Sequence, residues 1–405
     1  MTDEFEFYKD LGANAPESHT VEEKAATRSR LRRRRLRPEF VVLCVVGLLV
    51  LSVVFLAAYR SGTGFDVLHR RMKTASLAEN EDGSFGSYSF RNDRDNRFAV
   101  LENVLLVAAP KSIRLLSGDG EELYSEKTEL DAPEISANES CAAIYAVGGD
   151  KILCYDPTGP TGEIACEGII SVTVNRSGYM AVTDSCSGNK GQVTVYNDHK
   201  EKLFSFRSSE HFLTDAVVTE DNKHLAVVTL TESGGVFESR ILFYRLNSTD
   251  LETAIPLADT FVTHLGAVDG KLALVGDSCF AAASSSGELL GQYDYENFYL
   301  RGCDFGGDGY VTLLLGRYRS GSIGALMTLN MKGELLSATE LTEEVLDISA
   351  AGRYVAVLYA DRLAVYTGRL KLYAECPVEH GRRVELRQDG SAFVISADSA
   401  CVVIP

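Results

Sequence analysis

A turn signal that recurs at nearly even intervals is the strongest constraint on the fold of this chain. Apolar, strand-like segments are separated by polar turns that begin at Asn103, Asn138, Ser177, Asp221, Asp269, Asp308, Gly352 and Asp389. The intervals run from about 35 to 48 residues, which is the spacing of propeller blades. Gly, Asn and Asp supply the positive φ that tight hairpin turns require. The repeat predicts an all-β protein, a β-propeller of eight blades, with a seven-bladed ring as the alternative if one weak unit is not a blade.

The two ends of the repeat predict how the ring closes. The last unit has three strand-like segments, in RVELRQDG, SAFVIS and ACVVIP, and then the sequence ends. Residues 84–91, SFGSYSFR, alternate as a strand would but have no partner nearby in the sequence. A propeller can close when one terminus completes a blade begun by the other, which removes exposed sheet edges. Two tandem sandwiches would explain neither the even repeat nor the missing strand.

A different pattern precedes the repeat. Residues 40–59 carry no charge, and 20 apolar residues can cross a bilayer core as one helix. Seven arginines lie between positions 28 and 37, so the positive-inside rule places the N-terminus in the cytoplasm. We therefore expect a disordered basic cytoplasmic tail (1–39), a transmembrane signal-anchor helix (40–59), a linker (60–83) and an extracellular propeller (84–405) at the cell membrane. A cleaved signal peptide is the alternative, although its apolar region is usually shorter.

Catalytic and cofactor motifs are missing from the sequence. It contains no HxxH, HxH, CxxC, GxxxxGK[ST] or GxSxG, so metal hydrolysis, phosphate binding and nucleophile-elbow chemistry lack their minimum residues. The stretch DFGGDG at residues 304–309 is interpreted as a hairpin turn, since a calcium loop needs further spaced oxygen ligands. We expect no cofactor, no metal and no enzymatic activity. The acidic excess, with a formal net charge of −17, argues against nucleic acid as a partner, since an acidic surface repels it.

Two cysteines flank one predicted turn symmetrically. Cys154 and Cys166 each lie six residues from Pro160. In a hairpin centred on Pro160 they would lie opposite each other, close enough for a disulfide bond. A shift of one residue in register would send one of them to the other face, and two buried thiols are the alternative.

Three predicted loops are longer than the fold needs. We label the strands of a blade A to D from the channel outwards, and most of the B–C connections are short. Residues 185–192, 231–239 and 316–324 form long ones, and long loops are more often functional than short ones. The candidate binding residues in them are Arg317, Tyr318, Arg319, Asn189, Lys190 and Phe237. Arg and Tyr are common anchors at interfaces, and the two arginines form a basic spot on an acidic domain. Solvated loop tips without a role are the alternative.

The arginine cluster, the single predicted membrane helix and the turn-punctuated repeat together resemble a family of bacterial single-pass membrane proteins of unknown function. Their outer domain is a quinoprotein-like or WD40-like propeller. The likeness covers nearly the whole chain and rests on architecture. The chain has no Trp, so it lacks the tryptophan-docking motif of quinoprotein dehydrogenases and the Trp-Asp signature of WD40 blades. That absence argues against a redox cofactor.

Two functions are compatible with these features. The first is a binding or scaffold module at the cell envelope, because propellers present loops from every blade on a rigid ring. Its partner would be a protein or an anionic cell-envelope polymer. The alternative is an enzyme that acts on envelope glycan through a site in the propeller channel. That chemistry needs paired carboxylates at a suitable separation, and the sequence alone names no such pair.

Overall fold

The computed structural model describes residues 83–118, 121–233, 235–318 and 324–405, together with Gly47, Val50 and Ser52. These last three residues are helical. Otherwise the predicted tail, membrane segment and linker lie outside the described residues. Within the part of the chain that the structure describes, no helix is long and apolar enough to cross a membrane.

The described residues contain thirty-two strands, arranged as eight antiparallel sheets of four strands each. The first half of the chain contributes the following strands: β1 (Phe85–Ser89); blade 1, β2 (Arg97–Leu101), β3 (Val104–Ala109), β4 (Ser112–Leu116) and β5 (Glu122–Lys127); blade 2, β6 (Pro133–Ala137), β7 (Ala142–Ala146), β8 (Lys151–Asp156) and β9 (Gly159–Ala165); blade 3, β10 (Ile169–Val174), β11 (Met180–Asp184), β12 (Gly191–Tyr196) and β13 (Lys202–Ser208); blade 4, β14 (Phe212–Val218), β15 (His224–Ser233), β16 (Val236–Arg245) and β17 (Leu251–Leu257).

The second half continues in the same order: blade 5, β18 (Val262–Val268), β19 (Lys271–Gly276), β20 (Cys279–Ala283) and β21 (Leu289–Asp294); blade 6, β22 (Tyr299–Asp304), β23 (Tyr310–Gly316), β24 (Gly324–Asn330) and β25 (Leu335–Leu341); blade 7, β26 (Asp347–Ala351), β27 (Tyr354–Leu358), β28 (Arg362–Thr367) and β29 (Leu372–Pro377); blade 8, β30 (Arg383–Leu386), β31 (Ala392–Ile395) and β32 (Ser399–Val403). In blades 1 to 7 the strands lie in sequence order across the sheet.

Blade 8 is completed by the N-terminal strand. Its sheet order is β1-β32-β31-β30, and β1 pairs antiparallel with β32, with Phe85 opposite Val402 and Tyr88 opposite Ala400. Tyr88 is only 3% exposed and packs beside Phe393 of the same blade. The prediction of eight blades with a shared last blade is confirmed, and the seven-bladed and sandwich alternatives are wrong.

The core is divided into layers between blades. Eight clusters of buried apolar side chains are present in the described residues, one at each interface between neighbouring blades. Between blades 4 and 5, for example, Val217 and Phe243 pack with Leu274. Strand residues alternate between the two faces of their sheet, so each blade contributes one apolar layer to each neighbour. The propeller therefore has no single central hydrophobic core, and its stability depends on the apolar packing at every interface between blades.

Antiparallel order places the connections on two opposite faces of the ring. The A–B and C–D turns lie on one face, which we call the tight-turn face, and the B–C and D–A connections lie on the other, which we call the loop face. The tight turns need left-handed backbone at residues such as Gly178 (φ 81°) and Asn222 (φ 55°). Gly and Asn adopt that conformation most easily, which is why they mark the repeat in the sequence.

Candidate functional site

The three long B–C loops lie on the loop face, in blades 3, 4 and 6. In blade 3 the loop spans the residues between β11 and β12. In blade 4 the hairpin of β15 and β16 is ten residues long on each strand and pairs Glu232 with Phe237 near its tip. In blade 6 the loop begins after Gly316. Residues 319–323, which include the candidate Arg319, lie outside the described residues.

Lys190 and Asn189 are held by contacts within the domain. The Lys190 Nζ donates a hydrogen bond to the carbonyl oxygen of Glu210 at 2.8 Å and lies 4.9 Å from the ring centroid of Phe212. The side-chain amide of Asn189 reaches the sulfur of Cys186 at 3.8 Å. The Lys190 contacts fasten the blade 3 loop to the connection between blades 3 and 4, and the Asn189 contact lies within the loop. The ammonium of Lys190 is therefore engaged rather than available to a partner.

Arg317, Tyr318 and Phe237 are exposed on the same face. The Arg317 Nη2 lies 3.8 Å from Glu340 Oε1, and both side chains are mostly in water, where such a pair contributes little to stability. Tyr318 is 60% exposed and Phe237 is 58% exposed. Both rings therefore contact solvent and do not pack in any of the eight apolar clusters between the blades.

The sequence analysis missed three aromatic residues on this face. Phe212, Phe261 and Tyr299 are 58%, 38% and 42% exposed, and each lies at or just before the start of an A strand, in blades 4, 5 and 6. An aromatic residue directly before an inward-facing apolar residue, in Phe212-Leu213, Phe261-Val262 and Tyr299-Leu300, is the repeated signal that could have revealed them. We name the five exposed rings on the loop face of blades 4 to 6 the aromatic patch: Phe212, Phe237, Phe261, Tyr299 and Tyr318.

The predicted disulfide between Cys154 and Cys166 is wrong, and both thiols are free. The hairpin turns at residues 157–158, because Asp156 pairs with Gly159, so its centre lies before Pro160. Cys154 consequently faces Gly162 across a register shift, and the amide of Cys166 donates to the carbonyl oxygen of Asp150 beyond the end of the strand. The two cysteines are thus four residues apart along the ladder, too far for an S–S bond.

The central channel holds two cavities at its tight-turn end. One, of about 700 Å³, is lined by the A strands and A–B turns of blades 2 to 6 together with Gln388 of blade 8. The other, of about 670 Å³, is lined by blades 1, 2, 6, 7 and 8. The Gln388 side chain donates a hydrogen bond to the carboxylate of Glu139, passing over blade 1. Gln388, Glu139 and Gly306 line both cavities, so these residues lie between them.

Polar side chains of the channel wall join neighbouring A strands. The Ser136 hydroxyl accepts a hydrogen bond from the amide of Val174 at 3.0 Å. The carboxylate of Asp347 accepts from the amide of Val384 at 2.9 Å, and the hydroxyl of Ser349 accepts from the amide of Leu386 at 3.0 Å. An A strand has a free edge toward the channel, and these acceptors satisfy amides on that edge. Part of the polarity of the channel is therefore structural.

Three carboxyl groups of the wall have pKa values raised above the ordinary range. Burial, followed by the charges of Asp304 and Asp347, raises the pKa of Glu385 to about 8. Burial also raises the pKa of Asp304 to about 6, against the hydrogen bond that Asp304 accepts from Gly306, and raises the pKa of Asp347. Like charges on three successive A strands disfavour full ionisation of the set. Glu385 consequently keeps its proton at neutral pH.

The DFGGDG stretch forms a turn, as the sequence predicted. The carboxylate of Asp304 accepts from the amide of Gly306 at 2.7 Å, and the amide of Asp308 donates to the carbonyl oxygen of Gly352. In the described part of the chain, no group of three or more His, Cys, Asp or Glu residues could hold a metal ion.

Comparisons with known proteins agree with this architecture. No curated protein matches the sequence. Among solved structures, the C-terminal WD40 domain of Sif2 is similar, with a TM-score of 0.55 and 14% identity over 81% of this chain and 98% of that one. The computationally designed Ika8 protein gives a TM-score of 0.54 and 13% identity over 78% and 99% of the two chains. BamB from Moraxella catarrhalis gives 0.49 and 12% over 80% and 99%.

The two likenesses with TM-scores above 0.5 show the propeller fold alone, because their sequence identity is low. A family model, by contrast, matches residues 83–377, which is most of the chain and includes seven complete blades. The chain therefore belongs to the Family of unknown function DUF5711.

Proposed function

We propose that this propeller is a binding module that recognises a protein partner through the aromatic patch, displayed outside the cell membrane by an anchor at residues 40–59. The patch is the observation that supports the proposal most directly. Exposed Tyr and Phe are enriched in protein interfaces, where they become buried against the partner. Five of them lie on the loop face of three consecutive blades, where each ring is substantially exposed to solvent.

The proposed anchor is compatible with use of this face. β1 is the outermost strand of blade 8 and runs from the tight-turn face to the loop face. Ser84, just before β1, therefore lies on the tight-turn side. The described propeller thus begins on the face opposite the aromatic patch. The anchor itself is supported by the uncharged run and the arginine cluster of the sequence.

The first test removes two rings of the patch. In the full-length chain, Phe237→Ser with Tyr318→Ser should weaken capture of the partner from envelope extracts by roughly tenfold or more, because hot-spot aromatics contribute about 2 kcal/mol or more each. The melting temperature should not change, since both rings are in water. Capture is measured by pull-down and quantified by titration against the eluted partner.

The matched control removes exposed apolar groups elsewhere on the ring. Leu335 and Leu372 are 45% and 57% exposed near the C–D turns, on the tight-turn side. Leu335→Ser with Leu372→Ser should leave capture intact. Equal capture by the wild-type chain and the patch variant would contradict the proposal. Loss of binding to an acidic wall polymer in Arg317→Ala with Arg319→Ala, with protein capture unchanged, would instead indicate a polymer partner.

A second test addresses the anchor. Replacement of the seven arginines between positions 28 and 37 with neutral residues should weaken the inside orientation of the N-terminus, because those charges set topology. Protease added outside intact cells should digest the tail in a measurable fraction of the variant chains and in none of the wild-type chains. External digestion of the wild-type tail with the propeller spared would overturn the assigned topology.

A second function, glycan hydrolysis in the channel, is favoured by one observation. Glu385 is a carboxylic acid at neutral pH, and Asp304 lies close enough for the two charges to repel. A protonated acid beside a carboxylate is the pair that glycoside hydrolysis requires. If the full-length chain hydrolyses envelope glycan and Glu385→Gln removes that activity, the enzymatic function replaces the binding module.

A further inference from the structure

A small cavity between blades 2 and 3 is lined by three sulfur-containing residues. Its volume is about 230 Å³, and Cys141, Cys154 and Met180 all contribute to its wall. Cys154 and Met180 are each 4% exposed and belong to the same buried cluster, whereas Cys141 is half-buried. The cavity lies at the tight-turn end of the two blades, away from the loop face and the aromatic patch.

Strand register explains why the three residues meet. Ala142 pairs with Tyr155 and Ala143 with Cys154, so the position opposite Cys141 is Asp156, two residues beyond Cys154. Residues two apart on a strand point to the same face, and Cys141 and Cys154 are therefore diagonal neighbours on one face of blade 2. Met180 is the first residue of β11 in blade 3 and packs against that face.

Polar and charged side chains surround the sulfurs, including Lys200 and Asp198. The Asn138 side-chain amide donates to the sulfur of Cys141 at 3.3 Å and also to the carbonyl oxygen of Asn175 at 2.6 Å, which fixes its direction. Lys200 lines the same cavity. Its aliphatic chain packs against Gly162, where a Cβ atom would lie only 3.2 Å from Lys200 Cδ. Burial raises the pKa of both thiols, so the free site holds thiols, and Lys200 offsets negative charge on sulfur once a metal ion replaces their protons.

We propose that this cavity binds one soft monovalent metal ion, such as Cu(I), through the sulfurs of Cys141, Cys154 and Met180. Thiolate and thioether ligands select Cu(I) over harder ions. Binding replaces the two thiol protons, which are released to solvent, and forms two metal–thiolate bonds and one metal–thioether bond. Two thiolates and one monovalent cation leave a single negative charge, which Lys200 offsets. The oxidation state of the metal does not change.

Other metals fit the cavity less well. Structural zinc takes four Cys, His or carboxylate ligands, and the residues that line this cavity include two cysteines, one aspartate and no histidine. The aspartate, Asp198, has a side chain that is 52% exposed. Calcium and magnesium need sets of oxygen ligands, and a single carboxylate lines this cavity.

The test uses the full-length chain, reduced and free of oxygen, titrated with Cu(I) against a chromogenic Cu(I) chelator. The wild-type chain should bind one Cu(I) ion more tightly than any other, so that the chelator removes this ion only after the more weakly bound ones. Cys141→Ser and Cys154→Ser should each lower the affinity for that ion by roughly a hundredfold or more, since even second-shell changes cost 10- to 100-fold. Met180→Leu conserves volume, so it should keep the fold and still weaken binding.

A cysteine from another interface provides the control. Cys376 lies in β29 of blade 7, remote in sequence from the cavity, and Cys376→Ser should bind Cu(I) as the wild-type chain does. The unfolding transition of each variant, followed without metal, separates loss of a ligand from loss of the fold. Wild-type affinity in Cys141→Ser, or stronger retention of zinc than of Cu(I) by the wild-type chain under the same competition, would overturn the proposal.

Discussion

Deletion of residues 84–91 should abolish cooperative folding of the propeller. The deletion removes β1 and leaves blade 8 with three strands and the edge of β32 exposed. It also removes Tyr88 and Phe90 from the layer between blades 8 and 1, where they pack with Phe393 and Val402. Loss of one buried aromatic side chain costs about 3–5 kcal/mol, and a whole domain has only about 5–15 kcal/mol of stability. Thermal unfolding and light scattering measure the result.

The matched control deletes eight residues from the predicted linker, 70–77, and should unfold as the wild-type chain does. A graded series at one position strengthens the test: Tyr88→Phe should cost less than Tyr88→Ala, because the ring packing remains while the hydrogen bond to the carbonyl oxygen of Ser117 is lost. Unchanged cooperative unfolding of the 84–91 deletion would show that the closing strand contributes little.

A pH dependence of stability should follow from Glu385. Its pKa is about 8 in the folded protein, raised above the ordinary value of 4.5 by burial and by Asp304 and Asp347. The folded state therefore binds the proton more tightly than the unfolded state, so stability falls as pH rises through the window from about 4.5 to 8. With allowance for water in the channel, the loss between pH 5 and pH 9 amounts to about 2 kcal/mol or more.

Glu385→Gln should remove most of this dependence above pH 6 and raise the melting temperature at pH 9 relative to the wild-type chain. Asp304, with a pKa of about 6, accounts for part of the remaining slope at lower pH. Glu344→Gln, a change of the same kind at an exposed position, should leave the slope as it is. Parallel melting-temperature profiles for Glu385→Gln and the wild-type chain from pH 6 to 9 would contradict the assignment.

The architecture was predictable because its signals are local. Most A–B turns place Gly, Asn or Asp at a position of positive φ, and the segments between turns are apolar, so eight turns could be counted directly. The shared blade followed from one missing strand and one unpaired strand. The Cys154–Cys166 bond was wrong because a hairpin was centred on Pro160, whereas the pairing of Asp156 with Gly159 and a register shift beside Cys154 set a different register.

The candidate site depends on contacts that sequence does not encode locally. Lys190 resembled a free cation, but the blade 3 loop folds it onto Phe212 and Glu210. Asp304, Asp347 and Glu385 come from three consecutive blades, and only the packing of those blades side by side brings their charges together. The same is true of Met180, which meets Cys154 only across an interface between blades.

The pairing of β1 with β32 has a consequence for the order of events during folding. Phe85 is among the first residues of the propeller to be synthesised, and its partner Val402 is among the last. Blades 1 to 7 each contain only consecutive strands and can form as soon as they are made, but the ring cannot close until β32 has been made. Until then β1 is an unpaired strand attached to a growing row of blades. The final step of folding is thus a meeting of the two ends of the domain, and a chain interrupted before β32 retains two open edges.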